Sequence, residues 1–196
     1  MQAHVEKIGN SLIPAYQREL PDSDPAKVNF RFQVIDGQGF LGAIALPSGI
    51  ILIPRQVVER MQNDSQVAAI LASGIAGILE RQIYRDLPPS RALAAGELGA
   101  AVAGAFVPGG FLVESMVGGI RDQQQASIEE QDSRVSLDLL KYAGYDIDQA
   151  PMAWWLLASN KAKPVAKIDM PDRTTYLYRI LGETWRNPAA SAAQAH

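Results

Sequence analysis

The spacing of hydrophobic positions along the chain changes several times, and each change marks an element. Val5, Ile8, Leu12 and Tyr16 recur every three or four residues, which predicts an N-terminal helix with one apolar stripe, bent or interrupted near its end by Pro14. A turn-rich PDSDPAK stretch follows. From Val28 to Ile35 the chain alternates Phe30, Phe32 and Val34 with Asn29, Arg31 and Gln33, the period of a half-buried strand. Ala43 to Leu46 and Ile50 to Ile53 flank Pro47-Ser48-Gly49, which predicts a hairpin with Gly49 at positive φ.

Ser65, behind Asn63 and Asp64, is the expected N-cap of a long helix carrying Val67, Ile70, Leu71, Ile75, Ile78 and Leu79 and running to Asp86. Its middle holds Ser73, Gly74 and Gly77. Each glycine costs about 1 kcal/mol relative to alanine in a helix, so something other than helix propensity placed them there. Asp122 to Ala143 resumes helical spacing through Ile128, Val135, Leu139 and Tyr142, with Gly144 as the stop. Met152 to Leu157 and Tyr176 to Leu181 read as two further helices, and Asn187 to His196 as a disordered tail. Leu98 to Val113 is uncharged and rich in Ala and Gly, but shorter than the roughly 20 apolar residues a spanning helix needs. It is expected to pack under the fold, with contact to a membrane surface or a partner as the alternative.

Composition narrows the function classes. With 196 residues, 47% of them hydrophobic, the chain can bury one real core, and residues 1–186 are read as a single domain. Eighteen basic and 21 acidic residues leave a net charge of -3, so there is no basic excess for a nucleic-acid backbone. The absence of cysteine removes disulfides, thiolate zinc sites and cysteine nucleophiles. The two histidines, His4 and His196, sit at opposite ends, which argues against any triad or two-histidine metal site. The opening MQAHVEKIGN lacks the basic and apolar regions of a signal peptide, so either the protein is cytosolic or a leader has been removed.

Three further signals carry little chemistry. Gly37-Gln38-Gly39-Phe40-Leu41-Gly42 spells G-x-G-x-x-G after a strand, but strand-like residues follow it where a phosphate-binding turn needs a helix N-terminus. Glu129, Glu130 and Asp132 cluster on one helix, and with Arg134 nearby they read as a charged surface face rather than a carboxylate catalytic pair. Trp154 and Trp155 read as one core ring and one surface ring.

Taken together, ALPSGIILIPRQVV and SQVAAILASGIAGILERQ resemble the HtpX and CAAX-prenyl-endopeptidase-like zinc metallopeptidases, peptidase family M forty-eight. Gly42 to Gly49 (GAIALPSG) matches that family's hairpin, and Val67 to Leu71 (VAAIL) leads into its catalytic helix. Glu129-Glu130-Gln131-Asp132-Ser133, followed by SLDLLKYAGYD, is similar to its E-x-x-A-D helix and trailing A-G-Y-D-P. The resemblance runs from about Val5 to Leu157. It implies an α+β zincin-like fold, a small and mainly antiparallel sheet with a hairpin packed on long helices.

It also implies a lost metal site. In register, Ser73 replaces the first zinc histidine, Gly74 the general-base glutamate and Gly77 the second histidine; Glu129 matches the third ligand, and Ser133 replaces the aspartate that orients a histidine. The expectation is an inactive metallopeptidase homologue with no metal and no cofactor, acting as a peptide- or protein-binding scaffold. Its possible peptide-binding edge is Ala43, Ile44, Ala45 and Leu46. A metal-dependent hydrolase with an improvised carboxylate site around Glu129, or a structural subunit docking through Leu98 to Val113, are the alternatives. By likeness to exported family members, a periplasmic or secreted location with its leader removed is preferred over a cytoplasmic one.

Overall fold

A computed structural model describes residues 1–36, 42–80, 122–158 and 170–186, with the backbone alone for 122–129 and 170–172. Four expectations lie wholly or largely outside these residues: the glycine motif at 37–41, the helix extension to Asp86, the Leu98 to Val113 segment and the tail. The elements in order are α1 (Gln2–Leu12), α2 (Ala15–Glu19), β1 (Arg31–Ile35), β2 (Ile44–Ala45), β3 (Ile50–Pro54), α3 (Arg55–Arg60), α4 (Asp64–Leu79), α5 (Asp122–Tyr142), α6 (Gln149–Ala158) and α7 (Met170–Ile180), which continues into a π-helical segment, Leu181–Arg186. The architecture is α+β, mostly helical, with a small sheet.

The apolar stripe of α1 is real but ends earlier than its spacing suggests. Val5, Ile8 and Leu12 are buried, whereas Tyr16 is 55% exposed, because Ile13 is extended and Pro14 caps a separate helix, α2. The first strand also starts later than its alternation, at Arg31. The amide of Val28 is already donated to the buried side chain of Gln17 at 2.9 Å and is withdrawn from any ladder.

The sheet order is β1-β3-β2, and it is mixed rather than mainly antiparallel. The expected hairpin forms: β2 runs antiparallel to β3, Ile44 opposite Leu52, and Gly49 turns the chain at φ 88°. A Cβ on Gly49 would lie 2.8 Å from the Asn29 carbonyl oxygen, so both dihedral and space require glycine. Yet the longer ladder is parallel, from Arg31 opposite Ile50 to Ile35 opposite Pro54. The strand with the most apolar cargo, whose Ile51 and Ile53 are fully buried, takes the centre, and the two-residue β2 is left outside.

Helix α4 is capped by Asn63 rather than by Ser65. Asn63 has the extended backbone a cap requires and accepts from the Gln66 amide at 3.0 Å, while the Ser65 hydroxyl accepts from the Asp146 amide at 3.1 Å. From Gln66 to Ile78 almost every residue of α4 is buried, which makes it the central helix. Its neighbours are α1, α5, α6 and the sheet. Helix α5 buries Leu137 and Leu140 and stops at Gly144, φ 81°, as its sequence predicts. On α6, Trp154 is buried and Trp155 is exposed. Among the described residues, no helix is long and apolar enough to cross a membrane.

A charged lattice fastens α5 to α7 and the π-helical segment. Glu130 accepts from Arg134 at 2.9 Å and pairs with Arg179 at 2.7 Å, and Glu183 lies 3.5 Å and 3.8 Å from the same two arginines. Lys141 adds a cation over the Trp185 ring at 3.6 Å. The hydrogen bond from Arg134, with the charges of Arg179 and Arg134, holds the Glu130 carboxyl below its usual range against some desolvation. A carboxyl depressed in the folded state stabilises above its unfolded titration, and that stability is lost as pH falls through the folded one. E130Q is therefore expected to be less stable than wild type near pH 7 and to converge on it in acid, as pH falls below the usual glutamate range and through the depressed titration of Glu130. Urea unfolding of both proteins across an acid pH series measures this, with the gap at neutral pH narrowing in high salt.

Candidate functional site

Gly74 and Gly77 lie one turn apart on α4 but meet different elements. A Cβ on Gly74 would sit 3.3 Å from Ile51 Cγ2 and 3.7 Å from Ala45 Cβ, in the layer between helix and sheet. A Cβ on Gly77 would face α5, 3.9 Å from the Asp132 carboxylate. Ser73, half-buried, completes the trio. These are the positions that the resemblance assigns to a general base and two metal ligands. Here Ile51 occupies the space above the first glycine, and Asp132 lies nearest the second. The absence of bulk on α4 is what lets β3 and α5 approach it, and burial of an Ile side chain, worth about 1.5–3 kcal/mol, outweighs the helix cost of Gly74.

Asp132 is no part of a solvated face. Its side chain is 7% exposed, and Arg173 from α7, 8% exposed, reaches it at 3.8 Å. The guanidinium also lies 4.5 Å over the buried Trp154 ring on α6. One buried cation thus joins α5, α6 and α7 beside α4, with a carboxylate and an aromatic face compensating its loss of water. The sequence carried a signal for this: Ile128, Asp132, Val135 and Leu139 recur at helical spacing, so Asp132 stands on the apolar stripe. Arg173 gave no such sign.

Ser133 is fully buried, and its carbonyl accepts from the Ser136 hydroxyl at 2.9 Å. Glu129 lies on α5 one turn before Asp132, and its side chain is outside the described residues. A glycine has no ligand atom, so Ser73, Gly74, Gly77 and Glu129 do not supply the donor set of a zinc site. Among the described residues, no three His, Cys, Asp or Glu side chains converge on a point where a metal ion would bind. His4 pairs instead with Asp64 at 2.9 Å on the surface, joining α1 to the start of α4.

The suggested peptide edge is largely covered: Ala43, Ile44 and Ala45 are only 4–8% exposed, and Leu46 is half-buried. An open cleft of about 700 Å³ lies elsewhere, lined in part by Tyr16 of α2, Asn29, the turn residues Pro47 and Ser48, and Leu79 at the end of α4. Its lysine is engaged, since the Lys27 ammonium donates to the Gln17, Arg18 and Leu20 carbonyls at 2.7, 3.3 and 2.9 Å and caps α2. The cleft therefore presents hydroxyl, amide and apolar groups, a surface for a neutral ligand.

A scan against protein-family models returned no match to this chain, and a search among characterised proteins returned none either.

Two sets of variants test these contacts. R173M removes the cation facing a buried carboxylate and should cost about 3–5 kcal/mol, whereas D132L/R173M should cost far less. G77A should stabilise by up to about 1 kcal/mol, because its Cβ enters ordinary contact distance. G74A should gain less, since Ile51 must move. Equilibrium unfolding in urea reads all four.

Proposed function

We propose that this chain is a non-catalytic, metallopeptidase-like scaffold that binds polypeptide. Its framework strings resemble a peptidase family whose sheet and paired helices position a peptide over a metal. The observation that carries the proposal is the filling of the α4 positions: Ile51 packs on Gly74, and the Asp132–Arg173 pair lies beside Gly77, where a water-activating glutamate and a metal ligand would stand. Zinc-dependent peptide hydrolysis needs both groups. Without them, the chemistry left to such a framework is recognition. A cleft lined by neutral hydrogen-bonding and apolar groups suits an uncharged stretch of chain, whose amides need donors and acceptors rather than a counter-ion.

The test is a pair of measurements on the full chain. Protein purified without chelator should contain zinc far below one equivalent by mass spectrometry and should leave casein intact with zinc added. Titration with unfolded casein in a calorimeter should give saturable binding. Stoichiometric zinc with cleavage would overturn the non-catalytic half, and a flat calorimetric trace would overturn the binding half.

A further inference from the structure

Strand β1 is an outer strand of the sheet among the described residues, and it has an unusual partner. The Arg31 amide donates to the Gly49 carbonyl at 3.0 Å, so Arg31, Gln33 and Ile35 turn their backbone groups toward β3. By the alternation of a ladder, Phe32 and Val34 turn theirs to the free edge. There the side chain of Gln2, at the start of α1, takes both central groups. Its Nε2 donates to the Phe32 carbonyl at 2.8 Å, and its Oε1 accepts from the Val34 amide at 2.7 Å. A residue of a neighbouring parallel strand opposite Gln33 makes that same pair of bonds, donating to the residue before and accepting from the residue after. The remaining Nε2 proton goes to Glu6 Oε1 at 2.8 Å, which fixes the carboxamide in that orientation.

We infer that Gln2 is a removable strand mimic, and that the β1 edge beneath it docks an extended polypeptide with an acidic side chain beside Arg31. The inference rests on the polypeptide-binding reading and gives an acidic stretch of chain a site of its own, apart from the neutral cleft. Gln2 is exposed and can swing away by a rotamer change, because α1 is held independently by the buried Val5, Ile8 and Leu12. The edge is long enough for an added strand to form several rungs, and its outward face presents Arg31 and Gln33, both exposed. Arg31 forms no ion pair among the described residues, so an acidic neighbour on the added strand gains a cross-strand pair. The β2 edge, with its buried residues, offers no comparable access. Until Gln2 is displaced it also shields β1 from pairing with further chains, as outer strands require.

Two hydrogen bonds must break before a strand can add, so only a fraction of molecules is competent and the apparent affinity falls by that fraction. The experiment compares wild type, Q2A and Q2E. Q2E sets a carboxylate oxygen against the Phe32 carbonyl and beside Glu6, so it opens the edge even if Q2A perturbs α1. The probes are short fluorescein-labelled peptides of alternating Val and Thr with capped ends, carrying a central Glu or Lys. Affinity is read by anisotropy and the Val34 amide by hydrogen exchange. Both variants should bind the Glu peptide about tenfold more tightly than wild type, which corresponds to about 1.4 kcal/mol. Val34 should exchange faster in the variants and regain protection with peptide bound.

Equal affinity across all three proteins, with Val34 unchanged, would overturn the edge assignment and leave polypeptide binding elsewhere intact. No binding of these peptides by any protein would overturn this inference, and the functional reading falls with it only if casein is also left unbound. A Lys peptide bound as tightly as the Glu peptide would overturn the acidic preference. Self-association of the variants without peptide binding would assign the edge to a second copy of the chain instead.

Discussion

Helix α4 is buried around nearly its whole circumference, and most other elements are positioned by what they must cover on it. A helix of this kind cannot be stabilised by one amphipathic stripe, so it recruits a sheet on one side and helices on the others. The approach is limited by side-chain bulk. Where α4 carries Gly74, Ile51 comes down to near contact; where it carries Gly77, α5 comes close enough to set a carboxylate against the helix. Close packing of this kind stabilises through many small dispersion contacts, and the helix cost of two glycines is small beside it. The same close approach leaves no room at Gly74 for a longer side chain, so packing and chemistry are in direct competition at these positions.

The one buried ion pair among the described residues illustrates how the interior handles charge. Arg173 and Asp132 are each withdrawn from water, which costs several kcal/mol per ion before any compensation. Compensation for the guanidinium of α7 comes from two other helices, the carboxylate of α5 and the indole of α6. Such a pair adds little net stability but is specific about register: a one-residue slip of α7 would strand the cation in an apolar setting. The exposed lattice of Glu130, Arg134, Arg179 and Glu183 acts on the same two helices with less energy and more tolerance, because water screens it.

The sheet is too small to hide its own edges, and it protects them in different ways. Strand β2 is short and its residues are buried, while β1 is longer, more polar outward and closed by a side-chain amide from α1. The difference matters for a protein read as a binder of extended chain. An edge closed by one exposed rotamer opens with two hydrogen bonds, whereas an edge buried in the core opens only with the core.

Much of the architecture was legible in the order of residues, because it rests on local rules. Helical spacing located α1, α4 and α5, the Pro47-Ser48-Gly49 turn predicted the hairpin and the positive φ of Gly49, and Gly144 predicted the end of α5. The Trp154 and Trp155 assignment also followed from spacing. Where the reading went astray, a distant partner had intervened. Gln17 drew Val28 out of β1, the Asp146 amide took the Ser65 hydroxyl and left Asn63 to cap α4, and β1 paired parallel with β3, so the sheet is mixed rather than mainly antiparallel.

The candidate site divides along the same line. That Ser73, Gly74 and Gly77 carry no zinc donor set is a property of the residues themselves, written in the chain without reference to its fold. What fills the space beside them is not. Asp132 stood visibly on an apolar stripe, but the cation that lets it remain there comes from forty-one residues further on, and the carboxamide that closes β1 comes from thirty residues before Phe32. Local propensity and period are encoded in neighbouring residues, whereas charge compensation and edge protection are contacts between remote ones; only the folded chain selects those partners.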